Sequence, residues 1–85
     1  MDWANPDQET VMAAVGDILD RLGLAVYWFW VESSAPGWVV HLECDTAEGA
    51  RFQDLTVPPG PLRVEERRAL GAEWAPLLTH CRTFR

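Results

Sequence analysis

Apolar residues recur at helical spacing from Val11 to Leu22, crowd or alternate from Leu24 to Val57, and return to helical spacing from Val64 to Cys81. The first stretch predicts an amphipathic helix. Val11, Val15, Ile18 and Leu22 mark its stripe, Met12 and Leu19 widen it, and Asp17, Asp20 and Arg21 lie off it. Asn5-Pro6-Asp7-Gln8 reads as the start: Asn5 caps, Pro6 takes the first helical position, Asp7 sits near the positive dipole end and Gln8 reaches back in a capping box. Gly23 supplies the left-handed residue that ends it.

Leu24 to Glu32 is dense in β-branched and aromatic residues and free of Gly and Pro, which predicts a strand. Both faces are apolar. Leu24, Val26, Trp28 and Trp30 fall on one, Ala25, Tyr27, Phe29 and Val31 on the other, the pattern of a central strand covered on two sides. Ser33 to Gly37 is turn chemistry. Trp38 to Asp45 then alternates, with Trp38, Val40, Leu42 and Cys44 forming an apolar row and Val39, His41, Glu43 and Asp45 a more polar one. After the turn Thr46 to Gly49, a third strand spans Ala50 to Val57, where Phe52 and Leu55 disagree in parity. A bulge near Gln53 and Asp54 would reconcile them.

Pro58-Pro59-Gly60-Pro61 stops the sheet, and Leu70, Trp74, Leu77, Leu78 and Cys81 then share a helical face. Pro76 interrupts it, predicting a kink or two helices, Val64 to Trp74 and Ala75 to Cys81. The expected fold class is α+β: a three-stranded antiparallel sheet flanked by an N-terminal helix and one kinked or two short C-terminal helices. At 85 residues it is expected to be a single domain, residues 1–85.

Composition places the chain among folded proteins, with 48% hydrophobic and 24% charged residues. Its net charge of −6 disfavours direct binding of nucleic acid, which requires neutralised phosphates. All seven bases are arginines. Residues 1–50 carry nine acids against Arg21 alone, whereas residues 51–85 carry six arginines against four acids. One half of the sequence is therefore strongly negative. The acidic first nine residues do not resemble a secretion signal, and the longest apolar run, Leu22 to Val31, is about half the length of a membrane-spanning helix. A cytoplasmic location and no membrane contact are expected, and Cys44 and Cys81 are accordingly expected to be free thiols.

Two histidines and two cysteines match the ligand count of a zinc site, but on a strand residues 41 and 44 face opposite sides, and on a helix His80 and Cys81 diverge by about 100°. No metal or other cofactor is expected from His41, Cys44, His80 and Cys81. A cysteine nucleophile would need an electropositive cleft, which nothing indicates. Paired carboxylates Asp17/Asp20 and Glu65/Glu66 read as solvated helix positions. No catalytic residue is assigned.

The aromatic cluster Tyr27, Phe29, Trp28, Trp30 and Trp38 exceeds what one sheet face needs, so part of it is expected to stay exposed as an interaction patch. Trp28, Trp30 and Cys81 are the candidate self-association residues, the last through a disulfide between two copies in a homodimer. Asp17, Asp20, Glu43, Asp45 and Glu48 are the candidate partner-binding residues, carboxylates placed where a basic groove would receive phosphates.

In size, acidity, lack of motifs and absence of lysine the whole chain resembles the small anti-CRISPR proteins carried by phages. The resemblance implies a DNA-mimicking inhibitor in the host cytoplasm that binds a CRISPR effector such as a type I Cascade and blocks target DNA. It transfers no site residue. The stretch Ile18 to Cys44, a helix ending in Leu-Gly-Leu before aromatic strands, is similar to the opening of type III secretion chaperones and YbjN-like proteins, which implies an acidic, dimeric protein-binding module. The element order also matches double-stranded RNA-binding domains, but Glu65-Glu66-Arg67-Arg68 stands where those carry a lysine cluster.

Overall fold

The computed structural model describes residues 6–84. Its elements follow the order α1 (Gln8–Leu22), β1 (Val26–Ser34), β2 (Gly37–Thr46), β3 (Gly49–Val57), α2 (Val64–Trp74) and a 3-10 turn, Ala75–Leu78. The α+β reading holds. The strands form one antiparallel sheet in the order β1-β2-β3, so the aromatic strand β1 lies at an edge instead of the centre.

Helix α1 begins where Asp7, in an extended conformation, accepts a hydrogen bond from the Thr10 amide at 2.9 Å. The cap thus falls two residues after Asn5, which lies outside the described residues, and Pro6 precedes the helix. Gln8 makes a longer reach than the expected capping box: its side-chain amide donates to the Val31 carbonyl of β1 at 2.7 Å. Gly23 ends the helix with φ 68°, a conformation that penalises any Cβ, and donates its amide to the Asp20 carbonyl. Val11, Ala14, Val15, Ile18 and Leu19 are buried, with Met12 and Leu22 packed alongside.

The hydrophobic core lies on one side of the sheet. Val31 of β1, Val40, Leu42 and Cys44 of β2, and Leu55 and Val57 of β3 meet α1, Leu70 and Trp74 of α2, and Leu78. Trp74 is the largest buried side chain. On β2 the predicted alternation is borne out, with Val40, Leu42 and Cys44 fully buried and Val39, His41, Glu43 and Asp45 half-buried on the other side. On β1 it fails. The pairing slips between Val26 (opposite Cys44) and Trp28 (opposite Glu43), leaving Tyr27 as an extra residue. Beyond this bulge Phe29 and Val31 point inward, and Trp28 and Trp30 outward, reversing their relation to Val26. The Phe29 ring packs over α1 at Gly16, where a Cβ would stand 3.5 Å from it, an ordinary contact distance.

No bulge occurs in β3, contrary to expectation. Its pairing with β2 runs unbroken from Trp38–Val57 to Thr46–Gly49. Phe52 and Leu55 differ in parity because Leu55 enters the core and Phe52 faces solvent, 73% exposed. Pro76 splits the C-terminal helix after Trp74 as predicted, but the second piece ends at Leu78. The tighter winding turns Leu77 outward while Leu78 stays buried.

The chain then returns to the sheet. Cys81 bridges Thr46, Thr83 bridges Leu24, and backbone hydrogen bonds link Ala25, Asp45 and Arg82 in a three-way junction. The Cys44–Cys81 disulfide fastens it, with Cα atoms 5.7 Å apart, within the usual range. Both cysteines are therefore paired within the chain, which corrects the expectation of free thiols and of a Cys81 cross-link between copies. Cys44 lies in the inward row of β2, and the returning segment presents Cys81 beside it, a proximity that a helix extended to residue 81 would have prevented. No helix among the described residues is long and apolar enough to cross a membrane.

Candidate functional site

With both helices on one side, the other side of the sheet is open among the described residues. Antiparallel register arranges its side chains in rows. Trp28, Glu43 and Phe52 form one row, Trp30, His41 and Asp54 the next, and Glu32, Val39 and Thr56 a third. Tyr27, Trp28, Trp30 and Phe52 are all substantially exposed. Aromatic surface and carboxylates thus alternate across one face.

Specific contacts hold the face in shape. The Trp28 indole N–H donates to Glu43 Oε1 at 2.8 Å, and the Trp28 and Phe52 rings approach to 6.2 Å between centroids across that carboxylate. His41 stands at the centre of the sheet, its Nδ1 2.8 Å from Asp54 Oδ1 and its Nε2 3.0 Å from Glu32 Oε2. Both ring nitrogens donate at once only in the imidazolium form. The hydrogen bond to Asp54, and then that to Glu32, accordingly raises the His41 pKa above the usual histidine value. The negative charge of Asp45 raises the pKa of the Tyr27 phenol, with burial and hydrogen bonding adding to it.

The sequence-predicted carboxylates divide among several places. Glu43 and Asp45 belong to the open face, where Asp45 also lies 3.7 Å from Arg82. Glu48 sits at the tip of the β2–β3 turn, its amide donating to the Thr46 hydroxyl at 3.1 Å. Asp17 is on the helical side between Arg21 at 3.2 Å and Arg67 at 3.1 Å, and the Arg21 hydrogen bond leads the lowering of its pKa. Arg67 also donates to the Leu62 carbonyl, so the Asp17 contact helps to hold α2 against α1. Asp20 lines a shallow groove of about 440 Å³ between α1 and β1, with Leu19, Val26, Phe29 and Phe84. The five acids therefore do not form one surface.

Trp28 and Trp30 do share the open face, whereas Cys81 is buried on the opposite side. Sequence reasoning missed Glu32, His41, Asp54 and Phe52 as members of this face. Parity carried the signal, because His41 and Glu43 alternate with buried Leu42, and Phe52 is out of phase with Leu55.

A second cluster lies at the sheet end, where ligand atoms of Cys44, His80 and Cys81 fall within 4.8 Å of one another. His41 is not part of it, in keeping with the opposite facing of residues 41 and 44. Residues 80 and 81 converge because the helix has already ended at Leu78.

No protein family, curated protein or solved structure was found to match this chain.

Proposed function

We propose that this chain is a non-enzymatic inhibitor whose open sheet face docks on a cationic protein surface built to hold a polynucleotide, and keeps the polynucleotide out. The observation carrying this reading is the interleaving of exposed Trp28, Trp30 and Phe52 with Glu32, Glu43 and Asp54 on one face. Carboxylates attract arginine and lysine side chains, and exposed indole rings add cation–π contacts of about 0.5–2 kcal/mol each. The net charge of −6 steers the encounter at long range. A second copy is a less suitable occupant, since apposed faces would bring like carboxylates together. The site proposed at first from charge alone contracts to Glu43 and Asp45, joined by Glu32, Asp54 and the aromatics. A Cascade-type CRISPR effector is the specific target that the anti-CRISPR resemblance implies.

Competition tests both levels. The chain is titrated into such an effector bound to labelled target DNA, and separately against an arginine-rich peptide, at low and high salt. Displacement that weakens with salt is expected, with Trp30→Ala and a Glu32→Gln/Asp54→Asn double variant each weakening it at least ~10-fold and Asp17→Asn leaving it unchanged. Binding of the peptide without the effector would remove the target alone. Failure to bind either, or equal binding by all variants, would remove the docking face.

A further inference from the structure

We propose that reduction of the Cys44–Cys81 disulfide converts the sheet end into a zinc site formed by Cys44 Sγ, Cys81 Sγ and a ring nitrogen of His80. The ligand atoms already lie within 4.8 Å of one another. Zinc bound at about 2.3 Å from sulfur and 2.0–2.1 Å from nitrogen needs tetrahedral ligand separations of about 3.5–3.8 Å, so separating the two sulfurs is the main adjustment required. The backbone is suited to it. Cys44 stands on a central strand, the bridge between Cys81 and Thr46 fixes the returning segment, and the Cα atoms are 5.7 Å apart with the disulfide closed.

Charge balance favours a divalent ion. Two thiolates and a neutral imidazole give a neutral complex, which suits a site where Cys44 and Cys81 are both buried. Three protein ligands leave the fourth position for water or an exogenous ligand. A dithiol reductant supplies two electrons and two protons, breaks the Sγ–Sγ bond and itself becomes a disulfide. Zinc then displaces the two thiol protons as the sulfurs bind. The same residues would thus close the sheet end in both environments, by a covalent bond under oxidising conditions and by the ion under reducing ones.

Cobalt(II) and zinc(II) titrations test this on the full chain, with a phosphine reductant that is consumed to its oxide. The reduced protein is expected to bind one cobalt ion with the ultraviolet charge-transfer and visible bands of a tetrahedral thiolate site, and zinc to displace it. The oxidised protein is expected to show no such bands. His80→Gln, which leaves the disulfide intact, should weaken binding by the reduced form at least ~10-fold. Equal cobalt binding by the reduced wild type and a Cys44→Ser/Cys81→Ser variant, or by the wild type and His80→Gln, would overturn the site. Should the reduced chain lose its circular dichroism without metal, zinc must restore it, and failure to do so would equally overturn the proposal.

Discussion

The two faces of the sheet are built from neighbouring residues of the same strands, yet they serve opposite ends. On β2, Val40, Leu42 and Cys44 are fully buried, while His41, Glu43 and Asp45, one position out of phase, line the open face. The inner face gains from removing apolar surface from water, at about 25 cal/mol per Å². The outer face leaves Phe52 mostly, and Trp28 and Trp30 about half, in water, so they contribute less to folding than their size would allow. On the sheet, aromatic side chains are therefore divided between the faces, and the small residues Val40 and Cys44 mark the core better than Trp28 or Trp30, whereas on α2 Trp74 is fully buried.

Removing the disulfide should have the largest effect on this contrast. The Cys44–Cys81 bridge spans a sequence separation of 37 residues, and the chain-entropy relation gives about 4 kcal/mol for a loop of that length. Denaturation of a Cys44→Ala/Cys81→Ala variant is expected to show a loss of that order; an unchanged midpoint would mean that the bridge does not constrain the unfolded chain. Next come the two faces compared directly. Leu42→Ala should cost about 2–5 kcal/mol and Trp30→Ala, at a half-exposed site, less, about 1–2 kcal/mol, although Trp is the larger side chain. Comparable losses in urea melts would abolish the distinction between faces.

The smallest effect expected concerns His41. Its pKa is raised in the folded state by Asp54 and Glu32, so the folded chain binds a proton more tightly than the unfolded chain. The resulting stabilisation is fully present below the unfolded histidine pKa and is lost as pH rises through the folded one. Nuclear magnetic resonance titration should place the His41 midpoint above the usual histidine value, and Asp54→Asn should bring it down. A midpoint unmoved by Asp54→Asn and by Glu32→Gln would show that the carboxylates do not hold the ring.

Much of this architecture was legible in local chemistry. Gly23 ends α1, Pro76 divides the C-terminal helix, and the alternation of β2 separates its faces, because each depends on backbone sterics or on period alone. The failures had a tertiary origin. The bulge at Tyr27 has no Gly or Pro to announce it, so Trp28 and Trp30 were assigned to the row of Val26. The β3 bulge was expected on the assumption that Phe52 must be inside; with the helices on one face, it is not. The pairing of Cys44 with Cys81 depends on the chain leaving its helix at Leu78 and crossing back to the sheet, which helical periodicity through residue 81 concealed. Of the candidate site, Trp28, Trp30, Glu43 and Asp45 were found by residue type, whereas Glu32, His41, Asp54 and Phe52 become a group only through strand register.

An edge strand reading Val-Tyr-Trp-Phe-Trp-Val would ordinarily be a template for fibril growth, since unpaired backbone groups beside exposed rings invite another chain to add on. The extra residue at Tyr27 puts that ladder out of step, and the Gln8 side chain already engages the Val31 carbonyl. The protein can therefore carry an exposed aromatic surface while its edge is poorly suited to polymerisation.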